Sequence, residues 1–403
     1  MPIELTAKTE PGARLVRQAE TLAGEFATRA GAHDREASYP FSSIDALHET
    51  RYFAAAVPVE LGGLGVTSVH DLVVAASRLA RGDASVAIGV NMHTAVVRNI
   101  ARRWQVAVRT GNERRAAAFG SALDGVANEG VVIATAVSEP GQDITRPATT
   151  ATRTPAGWRV DGRKIFCTMS PAATVLYTSV RFVDPDRGER YGYARVPADA
   201  PGVLNHDDWD AMGMRASGSH SITFDGVALP ESALGGGFPT GSPHSYMGDN
   251  LTAGLFHASS SLGIAESADR TTTDALRDRT VDARAQMLLA ENAVDLSAAR
   301  GALGRAAELI DAHWADADDR EAREQVPSLF AEAQAVKTFV NEAAVRTVDR
   351  ALALSGGAGY LNGHPLARAY RDVRAGAFMH PLGANRAYEL LGEVALGREP
   401  VLH

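Results

Sequence analysis

Cysteine is almost absent from this 403-residue chain, with Cys167 standing alone. One thiol excludes an internal disulfide and any thiolate metal cluster, and it fits a reducing compartment. Long apolar runs are missing as well: nothing approaches the roughly 20 residues that cross a bilayer. The N-terminal MPIELTAKTEPGARLVRQAE lacks the apolar centre of a signal peptide. Nor is there a basic run, and 40 Lys and Arg against 48 Asp and Glu give a net charge of −8. Such a chain offers nucleic acid no electrostatic footprint. No histidine pair at i, i+4 flanks a glutamate, so no metal site is expected. In RASGSH, Arg215 occupies the place where a nucleophile elbow needs its first glycine. These absences leave a cytoplasmic globular protein working on a small molecule, without a metal, nucleic-acid or membrane partner.

What is present falls into three segments. Residues 1–126 are rich in Ala, Leu, Val and Arg at helical spacing, as in DLVVAASRLARGD, where Leu72, Val73, Ala76, Leu79 and Ala80 share a face. ASVAIGVNMHTAVVRNIARRW continues as a nearly all-apolar, central helix. VPVELGGLG is a Pro/Gly-rich turn without the strand that a phosphate-binding loop requires. Residues 127–235 change texture: GVVIATAVSE is a buried-strand run, and LYTSVRFVDPDRGERYGYARVP is a hairpin with Val180, Phe182, Tyr191 and Tyr193 flanking its turn. Residues 236–403 are helical again after a flexible connection over 232–248, and Leu289, Leu296, Leu303 and Ile310 form a heptad seam with Ala293 and Ala307 beside it. The order is helices, β domain, helical bundle: an α+β chain with a barrel-like middle domain and a C-terminal four-helix bundle.

On that background stand four phrases: AVSEPGQDITRP, DGRKIFCTMSPAAT, DWDAMGMRASGSHSITFDGVALP and LSGGAGYLNGHPLARAYRDVRAG. Phe166 and Thr168 are two apart, on one face of a strand. In this order and spacing the phrases resemble the acyl-CoA dehydrogenase superfamily over nearly the whole chain. The resemblance implies a flavoprotein, FMN or FAD, usually a homotetramer, with flavin between the β domain and the bundle. By position Thr135, Val137 and Ser138 would line the isoalloxazine, Phe166 would stack near its face and Thr168 would hydrogen-bond near N5. An aromatic gives a flat apolar wall, and a short hydroxyl donates or accepts without bulk. Gly356 and Gly357 would approach the nucleotide part of a neighbouring subunit's flavin. Arg215, Arg368, Arg371 and Asp372 read as structural.

The chain departs from the dehydrogenase pattern where the chemistry is done. Eight residues after Asp372, where the family places its glutamate base, stands His380; the alternative seat on the first bundle helix holds Ala253. Losing a positioned base forgoes a factor of roughly 10²–10⁴. Contacts to the adenylate half of FAD are missing too, with Ala353, Leu382 and Ala384 in place of their usual donors. A branch of the superfamily, the monooxygenases that draw reduced flavin from a separate reductase, is similar in carrying a histidine on the central N-terminal helix and another in an MHP-like phrase. His93 and His380 match both. The resemblance therefore implies oxygenation using O₂, with His93 and His380 moving or holding protons, since imidazole titrates near neutrality. His257 is a further candidate for the same cavity. Phe256 and Met379, with few charges nearby, point to a small apolar or aromatic substrate. The alternatives are a divergent acyl-CoA dehydrogenase with FAD and a non-catalytic flavin-binding subunit.

Overall fold

A computed structural model describes residues 3–141, 143–316, 319–398 and 402. Five helices come first: α1 Glu10–Glu36, α2 Phe41–Glu49, α3 Val69–Ala80, α4 Ala84–Arg109 and α5 Glu113–Asn128. Their starts are written in short polar side chains. Thr9 accepts from the Gly12 amide, Ser68 from Asp71, and Asp83 from both Ser85 and Val86, satisfying amides the helix itself leaves free. The expected apolar face of α3 is only part of its burial: every residue of this helix is buried. It is packed by α1, α4, α7 and α8, so one stripe of apolar residues was too narrow a reading.

The middle of the chain forms one sheet from β1 Ile133–Ala136, β2 Thr150–Thr154, β3 Gly157–Cys167, β4 Val175–Asp184, β5 Gly188–Pro197, β6 Val203–Asn205, β7 His220–Leu229 and β8 Phe238–Pro239. The order is β6-β7-β3-β2-β4-β5-β8, with β1 parallel to β4. The β4–β5 hairpin pairs Val180 with Gly192 and Ser179 with Tyr193. Because successive side chains alternate, Val180 and Phe182 face the sheet's own core, while Tyr177 and Tyr193 face away from it. The segment expected as a flexible connection, 232–248, instead carries β8 and helix α6, Pro243–Asp249.

The C-terminal part consists of α7 Ala253–Leu276, α8 Ala283–Asp316, α9 Asp319–Ser355, α10 Pro365–Asp372 and α11 Ala384–Ala395. Helix α9 packs against α7, α8, α10 and α11. The heptad seam of α8 is buried at Leu296, Leu303, Ile310 and Ala307, whereas Leu289 is half-buried and Ala293 exposed near the helix start. Two inter-domain ties fix the bundle to the sheet. The Met214 amide donates to Asp372 at 2.6 Å, and Gly213 lies so close that a Cβ there would meet the Arg371 carbonyl oxygen at 2.3 Å. Among the described residues no helix is long and apolar enough to cross a membrane.

Candidate active site

A cavity of about 650 Å³ opens where α4, α7, the sheet and the loop before α11 converge. Its sheet-side wall holds Thr135, Val137, Ser138, Phe166, Thr168, Trp209, Ser217 and Ser219; its helix-side wall holds Met92, Asn99, Arg103, Ala253, His257, Met379 and His380. Six of the sequence candidates are thus brought together: Thr135, Val137, Ser138, Phe166, Thr168 and His380, and His257 joins them.

The sheet side is held from behind by a buried pair. Glu139, in the Ser-Glu-Pro turn, accepts from the amides of Ala148 and Thr149, the Thr149 hydroxyl and Lys164 Nζ at 2.7 Å. Lys164 also donates to Ser179 Oγ at 3.0 Å. Burial alone would neutralise Glu139, but Lys164 and these donors hold its carboxyl below the usual range. Val137 and Ser138 directly precede this anchor.

Phe166 differs from the expectation of a regular strand. The β3–β7 register shifts between Lys164 and Cys167, and Phe166 adopts φ 56°, a left-handed conformation unusual for a bulky residue. The bulge turns the ring outward, 59% exposed, edge-on to Trp209 at 5.9 Å between centroids. Thr168 lies beyond the strand end and shares a hydrogen bond with Ser219 at 2.9 Å, which in turn meets Ser217 at 2.7 Å. An aromatic face left open to the cavity, beside a row of hydroxyls, fits a flavin ring: a flat apolar body with polar edges.

His380 is half-buried, and its ring joins the cavity lining. Its tautomer can be worked out. Asn250 Nδ2 donates to the Tyr246 carbonyl at 2.9 Å, which leaves Asn250 Oδ1 facing His380 Nε2 at 3.0 Å. The Tyr246 hydroxyl donates to the Pro381 carbonyl at 3.2 Å and sits 3.1 Å from the same nitrogen. Nε2 therefore carries the hydrogen, and Nδ1 remains an acceptor. Burial, helped by the Lys337 ammonium, pushes His380 down to about 3. Lys337 itself is buried on α9 and donates to the carbonyls of Met379 and Leu382, on either side of His380. Burial lowers it to about 7.

The structure does not bring His93 to the cavity. Its Nε2 is 2.9 Å from the Phe53 carbonyl and its Nδ1 accepts the Ile133 amide at 3.0 Å, so neither nitrogen is left for a bound molecule. Burial holds it neutral, near 4. It pins α4 to the first strand. A histidine on an apolar helix face carries no sign in sequence of which neighbours its nitrogens will find. Gly356 and Gly357 also lie away from this cavity: both fall in a 3-10 turn, Gly356–Tyr360, that follows α9, where Gly356 has φ 62°. Arg371 pairs with Asp34 at 2.5 Å and Arg215 donates to the Asp34 carbonyl at 2.8 Å, both structural contacts.

Residues that the sequence reading missed include Tyr177 and Tyr193, whose rings stack at 4.8 Å and 5° on the cavity side of the hairpin. Alternation against Val180 could have found them. Asp249, ion-paired with Arg103, and the Asn250–Tyr246 support of His380 had no local signal. Among the described residues no cluster of His, Cys, Asp or Glu could hold a metal ion.

This arrangement of helical, β and helical domains around a flavin-shaped cavity defines the chain's class: it belongs to the acyl-CoA dehydrogenase family. The family's N-terminal domain matches residues 14–104, its middle domain 134–227 and its C-terminal domain 255–381. It is a flavin-dependent oxidoreductase of that family. Among its relatives, the amino sugar nitrososynthase DnmZ of Streptomyces peucetius is 35% identical over 97% of this chain and 95% of its own. The L-evernosamine nitrososynthase of a Micromonospora species is 32% identical over 98% and 93%. The crystal structure of KijD3 with FMN and dTDP-3-amino-2,3,6-trideoxy-4-keto-3-methyl-D-glucose superposes with a TM-score of 0.91 at 31% identity, covering 99% of this chain and 97% of that one.

Proposed function

We infer that the chain is a monooxygenase that uses reduced FMN and O₂ to oxidise the amino nitrogen of a nucleotide-linked amino sugar. The observation that carries this reading is the state of the helix-side wall. Where a dehydrogenase needs a carboxylate base, His380 is a neutral imidazole held near 3, too weak a base to remove an α-proton efficiently. Asp249, a carboxylate in the lining, is spent on Arg103. The same surroundings depress His257, His380 and Lys337 together. A substrate ammonium placed there meets the same penalty and gives up its proton, so the amine presents the lone pair that N-oxygenation requires. The relatives named above, called amino sugar nitrososynthases or crystallised with an amino sugar nucleotide, support the substrate class. A deoxygenated ring suits the mainly apolar lining, and a nucleotide-linked amino sugar takes the place of the small apolar or aromatic substrate expected from sequence.

When bound, reduced flavin supplies the two electrons that let one atom of O₂ enter the substrate while the other leaves as water. One such cycle takes R–NH₂ to R–NHOH; a second, with another reduced flavin and O₂, takes R–NHOH to R–N=O and releases two waters. Phe166 and the Thr168–Ser219–Ser217 hydroxyls hold the ring, and His380 Nδ1 accepts a hydrogen bond from the amine or its hydroxylamine. A separate flavin reductase, a homotetramer and a cytoplasmic location belong to the same proposal. Met287 and Val294, 64% and 68% exposed and one heptad apart on α8, support the assembly.

The test combines the protein with FMN, a flavin reductase and a dTDP-linked 3-amino sugar in air-saturated buffer, followed by mass spectrometry. Products carrying one oxygen on nitrogen, absent without reductase, are expected. Bleaching of bound flavin by acyl-CoA thioesters without a reductase would overturn the reading in favour of dehydrogenation.

A further inference from the structure

We propose that His257 recognises a polar substituent of the substrate ring beside the reacting nitrogen, and so determines which rings the cavity accepts; this rests on the function inferred above. His257 lies one turn into α7 and is 4% exposed, yet it lines the cavity. Among the described residues neither Nδ1 nor Nε2 has a hydrogen-bond partner. That is unlike His93, equally buried, whose two nitrogens are both engaged by backbone groups. A histidine kept only for packing resembles His93. One kept for a ligand resembles His257, because an unpaired buried donor and acceptor are costly until a ligand supplies the partners.

The chemistry of the partner follows from the surroundings. Burial, with Lys337 and His380 nearby, holds the ring neutral, so it offers one N–H donor and one acceptor nitrogen. The lining of the same cavity includes Ile88, Met92, Ala95 and Ala253, whose apolar side chains offer the imidazole no hydrogen bond. A hydroxyl, carbonyl or amino group on the ring satisfies such an imidazole; a hydrocarbon ring leaves it unpaired. Sites built around a buried polar group reject analogues that lack the matching substituent far more strongly than they reject changes in size. His257 therefore selects a substituted sugar ring, while His380 Nδ1 faces the reacting nitrogen.

The test uses the full-length protein and a pair of dTDP-linked 3-amino sugars, one with and one without the 4-keto or 4-hydroxyl group. Binding is measured by calorimetry without flavin, and turnover with FMN and reductase. In wild type the substituted sugar is preferred. In His257→Phe its affinity and kcat/KM fall by roughly ten- to a hundredfold, the scale of one buried hydrogen bond left unpaired. Affinity for dTDP alone and for FMN stays unchanged, while the deoxy sugar's rises toward that of the substituted sugar, because no imidazole is left unpaired against it. His257→Gln, which keeps a donor and an acceptor, recovers most of the preference, and His257→Leu serves if phenylalanine does not fit. Wild-type turnover that His257→Phe matches within about twofold overturns the role of His257 while leaving the function standing. Failure of wild type to bind or oxidise either sugar overturns both.

Discussion

Replacing Lys337 by methionine isolates a buried cation that, among the described residues, has no carboxylate partner. The side chain is 2% exposed, and its Nζ donates to the Met379 carbonyl and, at 2.7 Å, to that of Leu382. Burial lowers its pKa from 10.5 to about 7. The folded state thus releases the lysine proton near neutrality, while the unfolded chain keeps it until pH rises through the ordinary lysine value. Between these limits the unfolded state binds more protons, so stability rises with pH; below the folded pKa both states are protonated and the gain is gone. Integrating from about pH 7 to about pH 9.5 gives a stability increase of about 3 kcal/mol from this group, at about 1.36 kcal/mol per unit. Methionine fills the same volume and titrates nowhere in the range. Urea unfolding followed by tryptophan fluorescence, on wild type and Lys337→Met across that pH range, should show the wild-type advantage growing by about 3 kcal/mol as other titrations cancel between the two proteins. A difference that stays flat within about 0.5 kcal/mol would refute the buried, unpaired placement of Lys337.

His380→Ala should leave folding and FMN affinity intact while lowering product formation by roughly ten- to a hundredfold, the scale of one lost hydrogen bond at the reacting nitrogen, with reduced flavin instead consumed to peroxide; full product yield in coupled assays would remove its role. Because His380 is held neutral to about 3, its own ring signals in NMR should not titrate near the ordinary imidazole value, and such a titration would contradict the tautomer that Asn250 fixes. His93→Phe leaves the Phe53 carbonyl and the Ile133 amide without partners, so unfolding stability should fall by about 2–4 kcal/mol, with kcat preserved in the protein that remains folded. Loss of kcat at unchanged stability would instead return His93 to the chemistry.

The order of domains was legible because its signals are local: helical spacing in 1–126, alternation and turn residues in the middle, and a heptad seam in α8. The linked phrases singled out Thr135, Val137, Ser138, Phe166 and Thr168, and the structure brings all five onto one side of one cavity. What escaped was set by long-range partners. Phe166 owes its exposure to a register shift against β7, which cannot be read from β3 alone. His93 and His257 look alike in sequence, each a histidine in an apolar helical run, yet one finds Phe53 and Ile133 while the other finds open space. Asn250 fixes the His380 tautomer from 130 residues away in the chain. Binary patterning encodes which side of a helix is covered, not what a buried nitrogen will meet there.

The Glu139–Lys164 pair bears on how such an enzyme changes over generations. Removing either partner strands a buried charge, a loss of about 3–5 kcal/mol, so an exchange at either position alone lowers stability by that much. The backbone of Val137 and Ser138 directly precedes that pair and is held in place with it. The opposite wall carries no such fastening at Met92, Ala95 or Ala253, whose side chains can be exchanged one at a time at modest expense. A fold built this way lets the helix-side lining change while the sheet-side backbone keeps its dimensions.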